Sequence, residues 1–171
     1  MRTAWEVAAD VVDPELPMVT LADLGVLREV VEDGHGPERG VTVTLTPTYS
    51  GCPATATMRD DLERALHTAG WARVEVRLAL APPWSTDDIT AHGRAALAAA
   101  GVSPPGPAGG SAAGPTGGAV PLLLAPTRYA ARCPRCGSDH VELLSRFGPT
   151  ACTAILRCRD CAEPFEHVKE V

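Results

Sequence analysis

Residues 41–70 read VTVTLTPTYSGCPATATMRDDLERALHTAG. Val41 to Thr46 has the composition of a short strand, bounded by Pro47. Pro53 to Ala69 reads as a helix, with proline favoured at its first position and Gly70 closing it. A strand therefore hands over to a helix across Thr46-Pro47-Thr48-Tyr49-Ser50-Gly51-Cys52-Pro53-Ala54. This handover organises the first 100 residues.

Elements follow on both sides. Ala4 to Val12 has helical spacing, with Val7, Val11 and Val12 on one side, and Asp13-Pro14 ends it. Leu24 to Val31 reads as a strand, separated from Val41 to Thr46 by the turn-rich Glu32–Gly40. Ala72 to Ala81 places Val74, Val76, Leu78 and Leu80 on one face of a strand. Thr86 to Ala100 reads as one helix, capped by Ser85 or Thr86, with Asp87 and Asp88 in its first turn and Gly101 as its stop. The order α-β-β-α-β-α predicts an α+β fold, a small α/β sandwich over residues 1–100.

Gly101 to Gly118 contains 11 Gly or Pro in 18 residues and no charge. Such a stretch cannot bury enough apolar surface to offset its ordering entropy, so 101–119 reads as a flexible Gly/Pro-rich linker. Val120 to Ala125 is apolar and suited to docking on a neighbouring domain. Residues 120–171 then form a small C-terminal module.

That module carries Cys133-Pro134-Arg135-Cys136 and Cys158-Arg159-Asp160-Cys161, with 21 residues between the pairs. Two C-x-x-C turns present four thiolates to one tetrahedral ion. Gly137 supplies the tight turn of a metal knuckle. The module is too small to hold a core without a staple. The reading is a zinc ribbon with a structural zinc ion on Cys133, Cys136, Cys158 and Cys161. The same thiolate set suits iron of the rubredoxin kind. If Cys152 to Cys158 is a strand, both cysteines point to one face, which puts Cys152 near the metal as packing or as a spare ligand.

Cys52 lies at or near the start of the helix, where unpaired N–H groups and the helix dipole favour a thiolate. Hydroxyls of Thr46, Thr48, Tyr49 and Ser50 lie close in sequence. A buried packing cysteine competes with this reading. His67 falls about four turns along the helix, which argues against a Cys–His protease. Asp13-Pro14-Glu15 and Asp23-Leu24-Gly25 are acids that the fold can bring to Cys52, or turn caps. Trp71 and Trp84 read as packing anchors, and His35 and His92 as solvent-exposed residues.

Residues 1–100 carry eight Arg against 15 Asp or Glu, a net of −7, whereas 132–171 is neutral and the whole chain is −6. Nucleic-acid affinity needs cationic excess, so a nucleic-acid partner is not expected. No apolar run approaches the roughly 20 residues that span a bilayer, and the N-terminus has no apolar leader core, so the reading is cytoplasmic with no membrane partner.

Asp13-Pro14-Glu15-Leu16-Pro17, Asp23-Leu24-Gly25 and Thr46 to Ala54 together resemble the metal–sulfur cluster assembly family that includes SufT and the eukaryotic MIP-type targeting proteins. Ala81-Pro82-Pro83-Trp84-Ser85-Thr86-Asp87, Cys133 to Ser138, Ser145 to Cys152 and Arg157 to Phe165 carry a more specific resemblance. Together with the first set they resemble the D-subunit family of the bacterial phenylacetyl-CoA epoxidase system. That resemblance implies a role in aerobic phenylacetate degradation, where a multicomponent di-iron oxygenase acts on phenylacetyl-CoA and a reductase supplies electrons. It implies an accessory subunit that helps mature or maintain an iron–sulfur or di-iron centre. Its partners are the oxygenase and reductase subunits or their apo forms. Cys52 takes the place of the family's functional cysteine, with Asp23, Thr48 and Ser50 assigned beside it and a transient iron or iron–sulfur cluster as its cargo.

None of the predicted helices carries a Glu-x-x-His pair of the di-iron type, and there is no Gly-rich dinucleotide fingerprint, so no oxygenase chemistry is expected of this chain alone. The alternative is a non-catalytic coupling subunit that never handles metal.

Overall fold

The computed structural model describes residues 2–34, 36–49, 51–108 and 130–169. The chain divides into two units, Met1–Ala100 and Gly101–Glu170.

In the first unit, helix α1 (Ala4–Ala9) opens with a capping box: the Thr3 side chain accepts from the Glu6 amide, and the Glu6 side chain accepts from the Thr3 amide. The helix predicted to Val12 stops three residues early. Val12 instead forms an isolated bridge with Thr20, and Asp13 Oδ1 accepts the amides of Glu15 at 2.9 Å and Leu16 at 2.8 Å. The chain from Val11 to Leu21 is thereby folded onto the core, burying Leu16, Val19 and Leu21.

Strand β1 (Leu27–Asp33) pairs antiparallel with β2 (Gly40–Leu45), which pairs parallel with β3 (Arg73–Leu78). The crossover from β2 to β3 is α2 (Thr55–Thr68). Its Met58, Leu62 and Leu66 recur every fourth residue and form one buried face. Val41, Val43 and Leu45 of the central strand are buried with them. On β3 the predicted apolar face is buried only at Val76, and Leu78 and Leu80 stay exposed. β3 is an edge strand of the three-stranded sheet, and among the described residues no strand pairs with its outer side.

The helix predicted over Thr86–Ala100 is two pieces. Ser85 caps a 3-10 turn over Thr86–Asp88, Ile89 is extended with ψ 122°, and Thr90 caps α3 (Ala91–Ala99). The break turns Ile89 into the core, where it is 4% exposed. Trp71 and Trp84 are buried anchors as predicted, and the Trp84 indole donates to the Leu24 carbonyl at 2.7 Å.

The second unit is a sheet of order β4-β7-β6-β5. Strands β5 (Val141–Ser145), β6 (Thr153–Cys158) and β7 (Pro164–Val168) form an antiparallel meander. Strand β4 (Val102–Ser103) pairs parallel with β7. This corrects the predicted linker at its start. Val102 and Ser103 are buried, and the buried His167 faces the Ser103 carbonyl at 3.2 Å. Pairing with β7 thus outweighs the local Gly/Pro composition. The linker from Gly109 onward and the apolar Val120–Ala125 lie outside the described residues. Ala131, Cys133, Leu156, Cys158 and Phe165 form the small core of this unit. Among the described residues no helix is long and apolar enough to cross a membrane.

Candidate functional site

The meander holds the two C-x-x-C turns against each other. The Sγ atoms of Cys133, Cys136, Cys158 and Cys161 all lie within 4.8 Å of one another. Cys133 Sγ is 3.6 Å from Cys161 Sγ, and Cys136 Sγ is 3.6 Å from Cys158 Sγ. A tetrahedral ion with Zn–S near roughly 2.3 Å places its sulfurs roughly 3.8 Å apart, so the four thiols fit one such ion.

Backbone amides of both turns point at the sulfurs, while the sulfurs crowd one another. Gly137 takes φ 74° and donates its amide to the Cys133 carbonyl at 2.8 Å. At the equivalent place after the second pair, Ala162 takes φ 61°, a region that non-glycine residues enter at a cost of about 1 kcal/mol. The Cys161 and Asp160 amides and the Cys136 and Cys161 side chains hold the Cys158 thiol down at about 7, against burial. The Ser138 amide lowers Cys136 in the same sense, but its thiol neighbours dominate and push it up to about 12. Four crowded sulfurs cannot all ionise without a cation, and a divalent ion removes that conflict. Asp160 ties the two turns together, accepting from Ser138 Oγ at 2.5 Å and facing His140 Nδ1 at 3.2 Å.

Cys152 does not belong to this cluster. It sits in the turn before β6, with Cys158 at the far end of that strand. At about 3.3 Å per residue, six residues separate them by roughly 20 Å. Sharing a face therefore does not bring it to the metal. Its Sγ lies 3.2 Å from Thr150 Oγ1.

Cys52 precedes α2 by more than its sequence suggests. The N-cap is Ala54 and the helix begins at Thr55, so Cys52 stands two residues before the cap. Its carbonyl accepts from the Thr55 amide and, at 2.9 Å, from the Thr55 hydroxyl. Its side chain is half-buried. Burial pushes the thiol up, and the Ala54 amide and Thr55 hydroxyl only partly oppose this. The charges of Glu15 and Asp13 add to the rise. The expected helix-primed thiolate is therefore corrected: desolvation and two nearby acids outweigh the helix end, and the resting group is a thiol.

The acids acting on Cys52 are thus Glu15 and Asp13, on the loop that α1 hands to β1. Asp13 is 4% exposed, and burial raises its carboxyl against the amides of Leu16 and Glu15. Asp23 is committed elsewhere. Its carboxylate accepts from the Thr20 amide and hydroxyl, from Thr90 Oγ1 at 3.1 Å, and faces His92 Nδ1 at 2.9 Å. Burial alone would raise Asp23, but His92 and the two threonines hold it below the usual carboxylate range. It fastens the start of α3, a capping role. His92 is exposed as predicted, though paired. Thr48 is half-buried and makes no hydrogen bond among the described residues. Ser50 and His35 lie outside the described residues. Thr46 is buried, and its Oγ1 has no hydrogen-bond partner among the described residues. His67 Nδ1 faces the Trp71 carbonyl at 2.9 Å, so it serves the end of α2.

A protein of Escherichia coli (strain K12), named as the D subunit of a putative 1,2-phenylacetyl-CoA epoxidase, is 40% identical over 165 residues, covering 96% of this chain and 90% of that protein. The chain belongs to the D-subunit family of the phenylacetyl-CoA epoxidases. Residues 120–169 match the PaaD zinc beta ribbon domain, and residues 3–78 match the iron-sulfur cluster assembly protein family. The Fe-S protein maturation auxiliary factor YitW of Bacillus subtilis (strain 168) is 35% identical over 89 residues, covering 51% of this chain and 82% of that protein. A crystal structure of a domain of unknown function from Bacillus anthracis is 27% identical, covering 55% of this chain and 87% of that one, at TM-score 0.48.

In this member of the D-subunit family, the zinc-ribbon match encloses all four clustered cysteines, and the assembly-family match encloses Asp13, Glu15 and Cys52. Sequence reasoning named the Asp13–Glu15 loop only as one of two acidic candidates. The signal that separates them is Asp13-Pro14. An Asp before proline favours a side-chain-capped turn, and this turn leaves Glu15 and Asp13 where their charges act on Cys52.

Proposed function

We propose that this chain is an accessory subunit of a phenylacetyl-CoA epoxidase system that helps load or maintain a metal centre of its partner subunits, with Cys52 as the group that meets the metal cargo. The observation that carries this reading is the half-buried Cys52 thiol under the charges of Glu15 and Asp13, within a domain of the iron-sulfur cluster assembly family.

The two acids disfavour a thiolate and favour a cation for the same electrostatic reason. At rest the sulfur keeps its proton and is a poor nucleophile, which limits adventitious oxidation. An arriving iron ion or cluster supplies positive charge, the thiol gives its proton to water, and the thiolate becomes a ligand. A single thiolate beside acids that attract a cation leaves coordination positions for groups of a client protein, so the cargo is held weakly enough to pass on. The C-terminal module holds a resident zinc ion on Cys133, Cys136, Cys158 and Cys161. A closed four-thiolate site stabilises its fold and offers no position for substrate. The protein works in the cytoplasm beside the oxygenase and reductase components, and it performs no oxygenation by itself.

The test is iron content. Epoxidase components purified from cells carrying Cys52→Ala in place of the parent chain are expected to contain several-fold less iron, while the variant itself keeps its fold and its zinc. Full metallation of the oxygenase and reductase beside Cys52→Ala rejects cargo handling and leaves a coupling role.

A further inference from the structure

The end of the β5–β6 hairpin opposite the metal turns presents Phe147 with 84% of its surface exposed. It is held there by a built turn. Ser145 Oγ accepts the Phe147 amide at 3.0 Å and donates to the Phe147 carbonyl at 2.8 Å. The Gly148 amide donates to the Thr153 carbonyl at 3.0 Å, and a Cβ at Gly148 would meet Thr153 Oγ1 at 2.2 Å. Lys169 Nζ donates to the Ala151 carbonyl at 2.8 Å and lies 5.8 Å from the Phe147 ring centre.

The charge around this tip differs from the rest of the unit. Arg135 pairs with Glu163, and Arg157 and Arg159 both pair with Glu142. Arg132 reaches the Gly137 carbonyl. Arg146 and Lys169, which flank Phe147 in sequence and in space respectively, have no carboxylate partner among the described residues. A water-exposed aromatic held by hydrogen bonds on both sides of its peptide, with one cation beside it in sequence and another near its ring, has the properties of a binding hot spot.

We infer that the Phe147 tip is a docking element that enters an apolar pocket rimmed by carboxylates on another component of the epoxidase. Two cations are too few to hold a protein on an anionic membrane or a nucleic acid, particularly on a chain of net charge −6. A pocket on a protein uses both the ring and the charges. The inference rests on the proposed role within the epoxidase system. It assigns the partner contact to the C-terminal unit, whereas Cys52 belongs to the N-terminal one.

The experiment titrates the full-length, zinc-loaded chain against the purified oxygenase and reductase components at low and physiological salt. The parent and Cys52→Ala are expected to bind alike. Phe147→Ser is expected to weaken binding about 10- to 30-fold with zinc content unchanged. Arg146→Glu and Lys169→Glu are expected to weaken it several-fold, more at low salt. Equal binding by Phe147→Ser and the parent overturns the inference, as does no binding by the parent. A Phe147-dependent affinity for phosphatidylglycerol vesicles, or a Phe147-dependent dimer of the chain alone, also overturns it by assigning the tip to another occupant. Loss of iron delivery by Cys52→Ala with docking intact separates this contact from the proposed cargo role.

Discussion

Cys52 shows how a residue's chemistry is decided by neighbours distant in sequence. Placed just before a helix, it has the local signature of an activated thiol. In the fold, burial comes first and the charges of Glu15 and Asp13 reinforce it, so the thiol titrates above its ordinary value. The thiolate therefore forms later with rising pH than in an unfolded peptide. Site-resolved alkylation with iodoacetamide at pH 8 is expected to modify Cys52 several-fold more slowly in the folded chain than in a peptide spanning residues 46–58. Asp13→Asn keeps an oxygen for the Glu15 and Leu16 amides and removes the charge, so it is expected to shift the alkylation profile to lower pH. Faster modification in the folded parent would sink this account of the site. Asp23 teaches the converse: an acid in a recognisable motif is fully occupied by Thr20, Thr90 and His92 and serves the start of α3.

At the scale of elements, period and punctuation located β1 to β3 and α2 to within a few residues, because both are local signals, whereas β4, β5 and β7 carried no such signal. They failed where a short segment is claimed by a remote partner. Val12 leaves α1 for a bridge with Thr20. Ile89 leaves its helix for the core. Val102 and Ser103 leave a linker composition for β7. The last case makes a pH prediction. His167 on β7 is fully buried, its Nδ1–H donating to the Ser103 carbonyl, and burial lowers it from 6.5 to about 4. The folded state thus favours the neutral ring. Its contribution is complete above pH 6.5 and is lost as pH falls toward 4, where the unfolded chain binds a proton that the fold resists. The full span amounts to roughly 3 kcal/mol. Urea unfolding of the C-terminal unit, compared between the parent and His167→Asn from pH 7.5 to 5, is expected to show a steeper acid loss in the parent. Parallel pH dependences would show that His167 does not titrate across the transition.

For the molecule as a whole, two units with different sources of stability sit on one chain. The first holds Leu21, Leu62, Leu66 and Trp71 in a core that needs no ion. The second buries a handful of side chains around its sulfurs, so metal binding is part of its folding free energy. Thermal unfolding of the parent is expected to show two transitions, and a strong chelator is expected to abolish only the one belonging to 130–169, as is Cys133→Ser. A single transition unaffected by chelation would refute a metal-stapled module. The α+β order of the first unit, the four-cysteine set and the family motifs are legible without the fold. Each is written in nearest neighbours or in cysteine spacing, which survive without knowledge of the fold. The path of the chain was needed to see that Glu15 and Asp13, rather than Asp23, act on Cys52, that Cys152 is a strand's length from the four-cysteine cluster, and that the expected linker begins as a strand. Electrostatics and burial depend on distance through space, and the path of the chain sets those distances.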